Sequence, residues 1–178
     1  MFTSKKARVV AGLAVAALAV GAVGASSEVT NAGADERHPA RVTFSTSMTS
    51  QERHLTTVGV NSEKVFGSNL LTGTTTVCNQ AATLQFLGTV NYVNGSGPWS
   101  GLITVTTATG SFGVSATGPA TLSSVTSNTT FQGVAQVIGG SGAYTHAQGV
   151  GTATGLRQTS LGGAVDFTFN LAASGLGC

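Results

Sequence analysis

Charged residues are scarce in this chain, making up 8% of its 178 positions, while hydrophobic residues make up 41%. Between Val65 and the C-terminus only Arg157 and Asp166 are charged. Disordered chains usually combine high charge with low hydrophobicity, so this composition favours a folded domain. It also leaves no basic patch in this stretch for a nucleic acid to bind.

Residue patterns that carry common chemistry are missing as well. The sequence has no Ser-His-Asp spacing, no Cys/His cluster and no repeated Asp/Asn calcium pattern. Its glycine-rich stretches lack the Gly-Lys-Ser/Thr sequence of a phosphate-binding loop. We therefore expect no metal site and no cofactor.

The first 25 residues have the layout of a secretory signal peptide. Three basic residues precede position 9, and an uncharged run that ends in small residues fills positions 9–25. A membrane anchor is the alternative, but the run is rich in Ala and Gly and short for a membrane span. We predict a secreted, extracellular protein with a flexible polar leader over residues 26–40, and a second cleavage site after Ala34 leaves the border open.

Export would change the charge of the working protein. Removing residues 1–25 leaves five basic and six acidic residues, so the mature chain has no excess of positive charge. We therefore expect neither nucleic acid nor an anionic membrane as its partner. A membrane-spanning barrel would need aromatic girdles, which aromatic residues at 6% of the chain do not supply.

Cys78 and Cys178 are the two cysteines of the chain. In an exported protein an even pair is expected to form a disulfide, and we predict this bond. A reactive or metal-binding thiol is the alternative, but neither cysteine has a histidine near it in sequence.

Hydrophobic and polar residues alternate from residue 41 onward, which predicts roughly eight to ten short strands and no amphipathic helix. An immunoglobulin-type sandwich would place Trp99 between the two cysteines, as here, but it would also place a tyrosine two residues before the second cysteine. Leu176 occupies that position. A closed barrel leaves no exposed strand edge, so we predict that residues 41–178 form one all-β, eight-stranded antiparallel barrel.

The stretch Gly139–Gly155, "GGSGAYTHAQGVGTATG", contains a glycine-rich turn between two predicted strands. It resembles a motif of the allene oxide cyclase and dirigent barrel superfamily, of the type Gly-Gly-Thr/Ser-Gly-x-Phe-x-x-Ala-x-Gly. The matching residues are Gly139, Gly140, Ser141, Gly142, Tyr144, Ala147 and Gly149.

This resemblance implies an eight-stranded barrel with a mostly apolar lumen, often assembled as a dimer or trimer. Members of that superfamily include a cyclase of oxylipin biosynthesis and proteins that steer the coupling of phenoxy radicals. The acidic and arginine residues of those catalysts have no clear counterparts in this chain, so the resemblance identifies no catalytic residue here.

The few polar residues within the apolar pattern are the candidates for a site. His146 would share a strand face with Tyr144, either as a rim histidine or as a proton donor at the mouth of the lumen. Arg157 and Asp166 flank a turn, so a surface ion pair is expected, whereas burial would mark a functional site. Glu63 is expected at a solvated hairpin end. Tyr92, Trp99 and Tyr144 fill core or lumen space and are also natural groups for ligand stacking.

Two functions fit these observations. The first is a non-catalytic barrel that binds a small apolar molecule in its lumen or has a structural role. The second is a cofactor-free isomerase, cyclase or dirigent-type protein that shapes a reactive substrate. A catalyst should bury at least one of four residues toward the lumen, whereas a simple binder should keep all four outside: His146, Arg157, Asp166 and Glu63.

Overall fold

The computed structural model describes residues 39–158 and 161–178. These residues form eight antiparallel strands and no helix, which confirms the all-β prediction. The strands are β1 (Ala40–Val58), β2 (Lys64–Val77), β3 (Gln80–Val93), β4 (Gly97–Thr107), β5 (Gly110–Leu122), β6 (Thr129–Gly142), β7 (Gln148–Arg157) and β8 (Val165–Ser174). The predicted signal peptide and nearly all of the predicted leader lie outside the described residues. No helix in the described part of the chain could span a membrane.

Each strand pairs with the next one, and β8 pairs with β1 to close the sheet into a barrel. Closure is complete between Ala40 and Met48 of β1, which face Ala173 and Val165 of β8. Beyond Met48, β1 pairs with β2 alone. The register between these two strands shifts between Ser50 and Glu52. The predicted eight-stranded antiparallel barrel is therefore confirmed, with one hairpin that extends past the closed wall.

In β3, β4 and β8 every second residue is buried in the barrel, and the residues between them face outward. Phe167 lies at the centre of the aromatic core. Its ring centroid is 5.3 Å from that of Phe86, 5.5 Å from that of Trp99 and 5.4 Å from that of Phe131. The barrel interior is thus filled by packed aromatic and aliphatic side chains rather than by an open channel.

We call one end of the barrel the disulfide end. It comprises the turns β2–β3, β4–β5 and β6–β7 together with the C-terminal residues 175–178. The predicted bond between Cys78 and Cys178 is present here, and Leu176 is buried against the core. Disulfides persist in oxidising compartments, so the bond is consistent with an extracellular protein.

The glycine-rich stretch also lies at the disulfide end, where it makes the turn between β6 and β7. Gly142 has a positive φ of 61°, and a side chain there would collide with the carbonyl oxygen of Thr109. The turn then buries Tyr144 against Phe112, with ring centroids 5.3 Å apart. The Tyr144 hydroxyl hydrogen-bonds the Thr107 hydroxyl at 2.9 Å, so this turn seals the barrel rather than opening it.

Candidate functional site

We call the opposite end of the barrel the arginine end. It comprises the turns β1–β2, β3–β4, β5–β6 and β7–β8. A cavity of about 50 Å³ lies just inside it. The cavity wall is mainly apolar and aromatic, and the side chains of Arg157 and Tyr92 bring polar groups to it. Its volume is enough for one or two water molecules and well below the range of pockets that enclose drug-sized ligands.

Arg157 is the last residue of β7, and its side chain points into the barrel, where it is only 6% exposed. Its Nη2 donates a hydrogen bond of 2.7 Å to the hydroxyl of Thr129, its cross-strand neighbour on β6. Its guanidinium carbon lies 5.8 Å from the ring centroid of Phe131, within the range of a cation–π interaction. These contacts hold the guanidinium in place at the cavity wall.

Two donors at this cavity have no partner. Arg157 Nε and Tyr92 Oη are both buried, and neither makes a hydrogen bond in the described part of the chain. Buried polar groups are nearly always hydrogen-bonded, so two such groups facing one cavity are unusual. The arrangement provides an unsatisfied N–H and an unsatisfied O–H for an acceptor that enters from outside.

Burial shifts the pKa of both groups. It raises the pKa of Tyr92, and the neighbouring Arg157 cation partly opposes this rise. It lowers the pKa of Arg157, and here the proximity of Tyr92 partly opposes the effect. With the tyrosine shift directed upward from 10.0, Tyr92 is a neutral donor at neutral pH.

Trp99 and Tyr92 were expected to fill core or lumen space, with ligand stacking as the alternative, and both line this cavity. The indole N–H of Trp99 donates a hydrogen bond of 3.1 Å to the carbonyl oxygen of Pro119. Its polar atom is therefore satisfied within the barrel wall, and its apolar ring is left for packing. Tyr144 lies instead at the disulfide end, far from the cavity in the topology of the barrel.

Two sequence-based expectations about these residues are wrong. Asp166 is exposed on the outer face of β8, opposite Leu156 in register, while Arg157 points inward. The two charges therefore form no surface ion pair. His146 and Tyr144 do not share a strand face, because residues 143–146 form a turn and β7 begins only at Gln148. Tyr144 is buried and His146 is exposed, as expected of a rim histidine.

The other charged residues described at the arginine end do not line the cavity. Glu63 lies in the β1–β2 turn, where its Oε2 accepts a hydrogen bond of 3.1 Å from the backbone N–H of Asn61. Glu52 and His54 pair at 2.7 Å on the exposed part of β1. Arg53 donates to the carbonyl oxygen of Leu161 at 2.9 Å and so ties the extended hairpin to the β7–β8 loop. Of the four residues considered for catalysis, Arg157 alone lines the cavity, so the expectation that a simple binder keeps all four outside is not met.

Sequence reasoning missed Thr129 and Phe131, which hold the Arg157 guanidinium. Phe131 belongs to an apolar segment, and Thr129 looks like one more outer-face threonine. The available signal was positional: both residues begin β6, directly across from the residues that end β7.

The outer wall over β3–β7 carries a band of exposed apolar side chains. We call it the apolar band, and its members are 50–65% exposed: Leu87, Leu102, Val134, Ile138 and Val150. Threonine, serine and glutamine surround most of these side chains along a shallow groove. The band faces solvent and is separate from the cavity.

Comparisons with known proteins give one similarity. No protein-family model matches the chain, and no curated protein matches it. Among solved structures, pyocyanin demethylase is similar at 14% sequence identity, over 72% of this chain and 98% of that protein, with a TM-score of 0.45.

Proposed function

We propose that this chain is a secreted β-barrel protein that binds a small apolar molecule at the arginine end of its lumen. The observation that supports it is the pair of unpartnered donors, Arg157 Nε and Tyr92 Oη, in a cavity walled by aromatic rings. Binding sites typically combine an apolar wall with a few converging polar groups. The glycine-turn resemblance to the allene oxide cyclase and dirigent superfamily points to the same use of a barrel lumen.

The small volume of the cavity limits what can enter. A ligand would place one compact group inside, and its remainder would lie against Leu55 and Leu161, which border the same cavity. Both side chains belong to elements outside the closed wall, the extended hairpin and the β7–β8 loop. Their displacement would enlarge the site without disturbing the aromatic core.

Trp99 provides a direct test, because it is the one tryptophan of the chain and it lines the cavity. We expect a saturable change in its fluorescence when mature protein is titrated with 1-alcohols of four to ten carbons. In Gly88→Ala a methyl group would project beside the Phe86 ring, 3.4 Å away, at the cavity wall. This variant should bind roughly tenfold more weakly, because a single methylene changes affinity by about this factor in a tight apolar pocket.

Exposed Phe66→Ala, on β2, is the matched control and should bind like the wild type. If neither the alcohols nor the corresponding carboxylates change the fluorescence of Trp99, the binding proposal is wrong. Equal affinities of wild type and Gly88→Ala would place the ligand elsewhere.

A catalytic role is the second candidate, and the burial of Arg157 is the observation that favours it. An arginine and a neutral tyrosine facing one cavity can stabilise an oxyanion that forms during isomerisation or cyclisation. No carboxylate or imidazole lines the cavity within the described residues, so these residues offer no general base of the usual kind. Substrate positioning and oxyanion stabilisation are the chemistry available to such a catalyst.

We further propose that the apolar band is where a second copy of the chain docks. Soluble monomers rarely expose large contiguous apolar patches, and an uncharged surface fits a partner that is equally uncharged. We expect native mass spectrometry to show a dimer or trimer, and Leu102→Asp to give monomers. Asn170→Asp adds the same charge on the opposite wall and should leave the assembly intact. A monomeric wild type at micromolar concentration would refute this proposal.

A further inference from the structure

The two unpartnered donors at the arginine end also indicate what kind of group the ligand carries. Arg157 Nε can only donate, whereas Tyr92 Oη can both donate and accept, so even a contact between the two would leave the tyrosine O–H without an acceptor. The tyrosine is neutral, and no ion pair joins Arg157 to a carboxylate among the described residues. The cation is therefore buried without a compensating negative charge from the described part of the barrel.

An isolated buried charge is strongly unfavourable, and proteins normally pair it or neutralise it. Thr129 and the Phe131 ring stabilise the guanidinium, but neither carries a formal charge. A carboxylate would supply the missing charge and accept both unused hydrogen bonds with its two oxygens. Charge-assisted hydrogen bonds of this kind are shorter and stronger than neutral ones.

We propose that Arg157 and Tyr92 form a carboxylate-binding site, so that the ligand of this barrel is a small apolar carboxylic acid bound as its anion. This inference rests on the proposed function and narrows it to one ligand class. The apolar part of the acid contacts Leu55, Leu71 and Leu161, which line the same cavity. Arg157 anchors the carboxylate, and Tyr92 orients it.

The test compares hexanoate with 1-hexanol on mature protein at pH 7, followed by the NMR signal of the Arg157 side-chain Nε–H group and by Trp99 fluorescence. We expect hexanoate to bind at least tenfold more tightly than 1-hexanol and to shift the Nε–H signal with the same saturation curve. Tyr92→Phe should weaken hexanoate binding about fivefold and leave 1-hexanol binding nearly unchanged.

The arginine needs a variant that preserves the fold, since removing it alone would leave the buried Thr129 hydroxyl unpaired. We therefore choose Arg157→Met combined with Thr129→Val. This double variant should lose the preference for hexanoate over 1-hexanol and should melt at or above the wild-type temperature, because it replaces a buried charge by apolar groups.

The outcomes separate the two proposals. Equal affinities for hexanoate and 1-hexanol would overturn the carboxylate site and leave the apolar binder standing. No binding of either compound would overturn both. A double variant that unfolds would show that Arg157 has a structural role, and unchanged hexanoate binding by Tyr92→Phe would remove the tyrosine from the site.

Discussion

Replacing Cys78 and Cys178 by serine is expected to lower the free energy of unfolding by up to about 4.7 kcal/mol. The bond closes a loop with a sequence separation of 100 residues, and the chain-entropy model assigns roughly this value to loops of that length. The native state of the double serine variant should also be less ordered, because the bond no longer holds the C-terminal residues across the end of the barrel. For a domain of this size the melting temperature should fall by roughly 10–15 °C.

Thermal unfolding followed by far-UV circular dichroism measures this effect. Reduction of the wild type should reproduce the melting temperature of the double serine variant, and the same reductant should leave that variant unchanged. Leu176→Ala separates the two contributions, because it removes the buried side chain of the C-terminal segment and keeps the bond. A double serine variant that melts within 2 °C of the wild type would show that the bond adds little to the stability of the barrel.

The all-β barrel could be predicted from the sequence because several of its strands alternate cleanly between hydrophobic and polar residues. In β3 and β8 large apolar residues take every second position, and the same residues are buried in the barrel. The disulfide was equally accessible, since two cysteines in a predicted exported chain leave one intramolecular pairing. Strand alternation and the number of cysteines can both be read from a single sequence.

Strand β7 shows why the site itself was harder to predict. Its inward positions hold Gly151, Ala153, Gly155 and then Arg157, while Val150 on the outer face is 63% exposed. The usual hydrophobic alternation is thus inverted, and it gives no sign that Arg157 points inward. The cause is non-local: a methyl group on Gly155 would lie 2.8 Å from the Phe167 ring on β8, so aromatic rings from another strand fill the space.

Sequence proximity explains why Asp166 and Arg157 were expected to meet. They lie near each other in sequence across a turn, and such neighbours often pair across a hairpin. In the barrel Leu156, not Arg157, faces Asp166, and a shift of one residue sends a side chain to the opposite face. Register of this kind is set by the whole sheet.

Phe167→Ala is expected to destabilise the barrel by about 3–5 kcal/mol, the usual range for removing a buried phenylalanine ring. Phe167 packs against four other rings, and its removal leaves a void among them: those of Phe86, Trp99, Phe131 and Phe169. Chemical denaturation followed by circular dichroism gives the value. Phe66→Ala is the matched control, because Phe66 is 44% exposed, and it should change stability by less than about 1 kcal/mol.

The void left by Phe167→Ala should also be able to bind a ligand, since cavities made by removing a buried apolar side chain can take up benzene. Benzene at ten times its dissociation constant should restore roughly 1.4 kcal/mol to the variant and nothing to the wild type. A variant that loses less than 1 kcal/mol would show that the core collapses around the missing ring. Because Phe167 also borders the natural cavity, the variant should accept larger carboxylates and still depend on Arg157. Ring packing would then set the size of the ligand, and the arginine would set its charge.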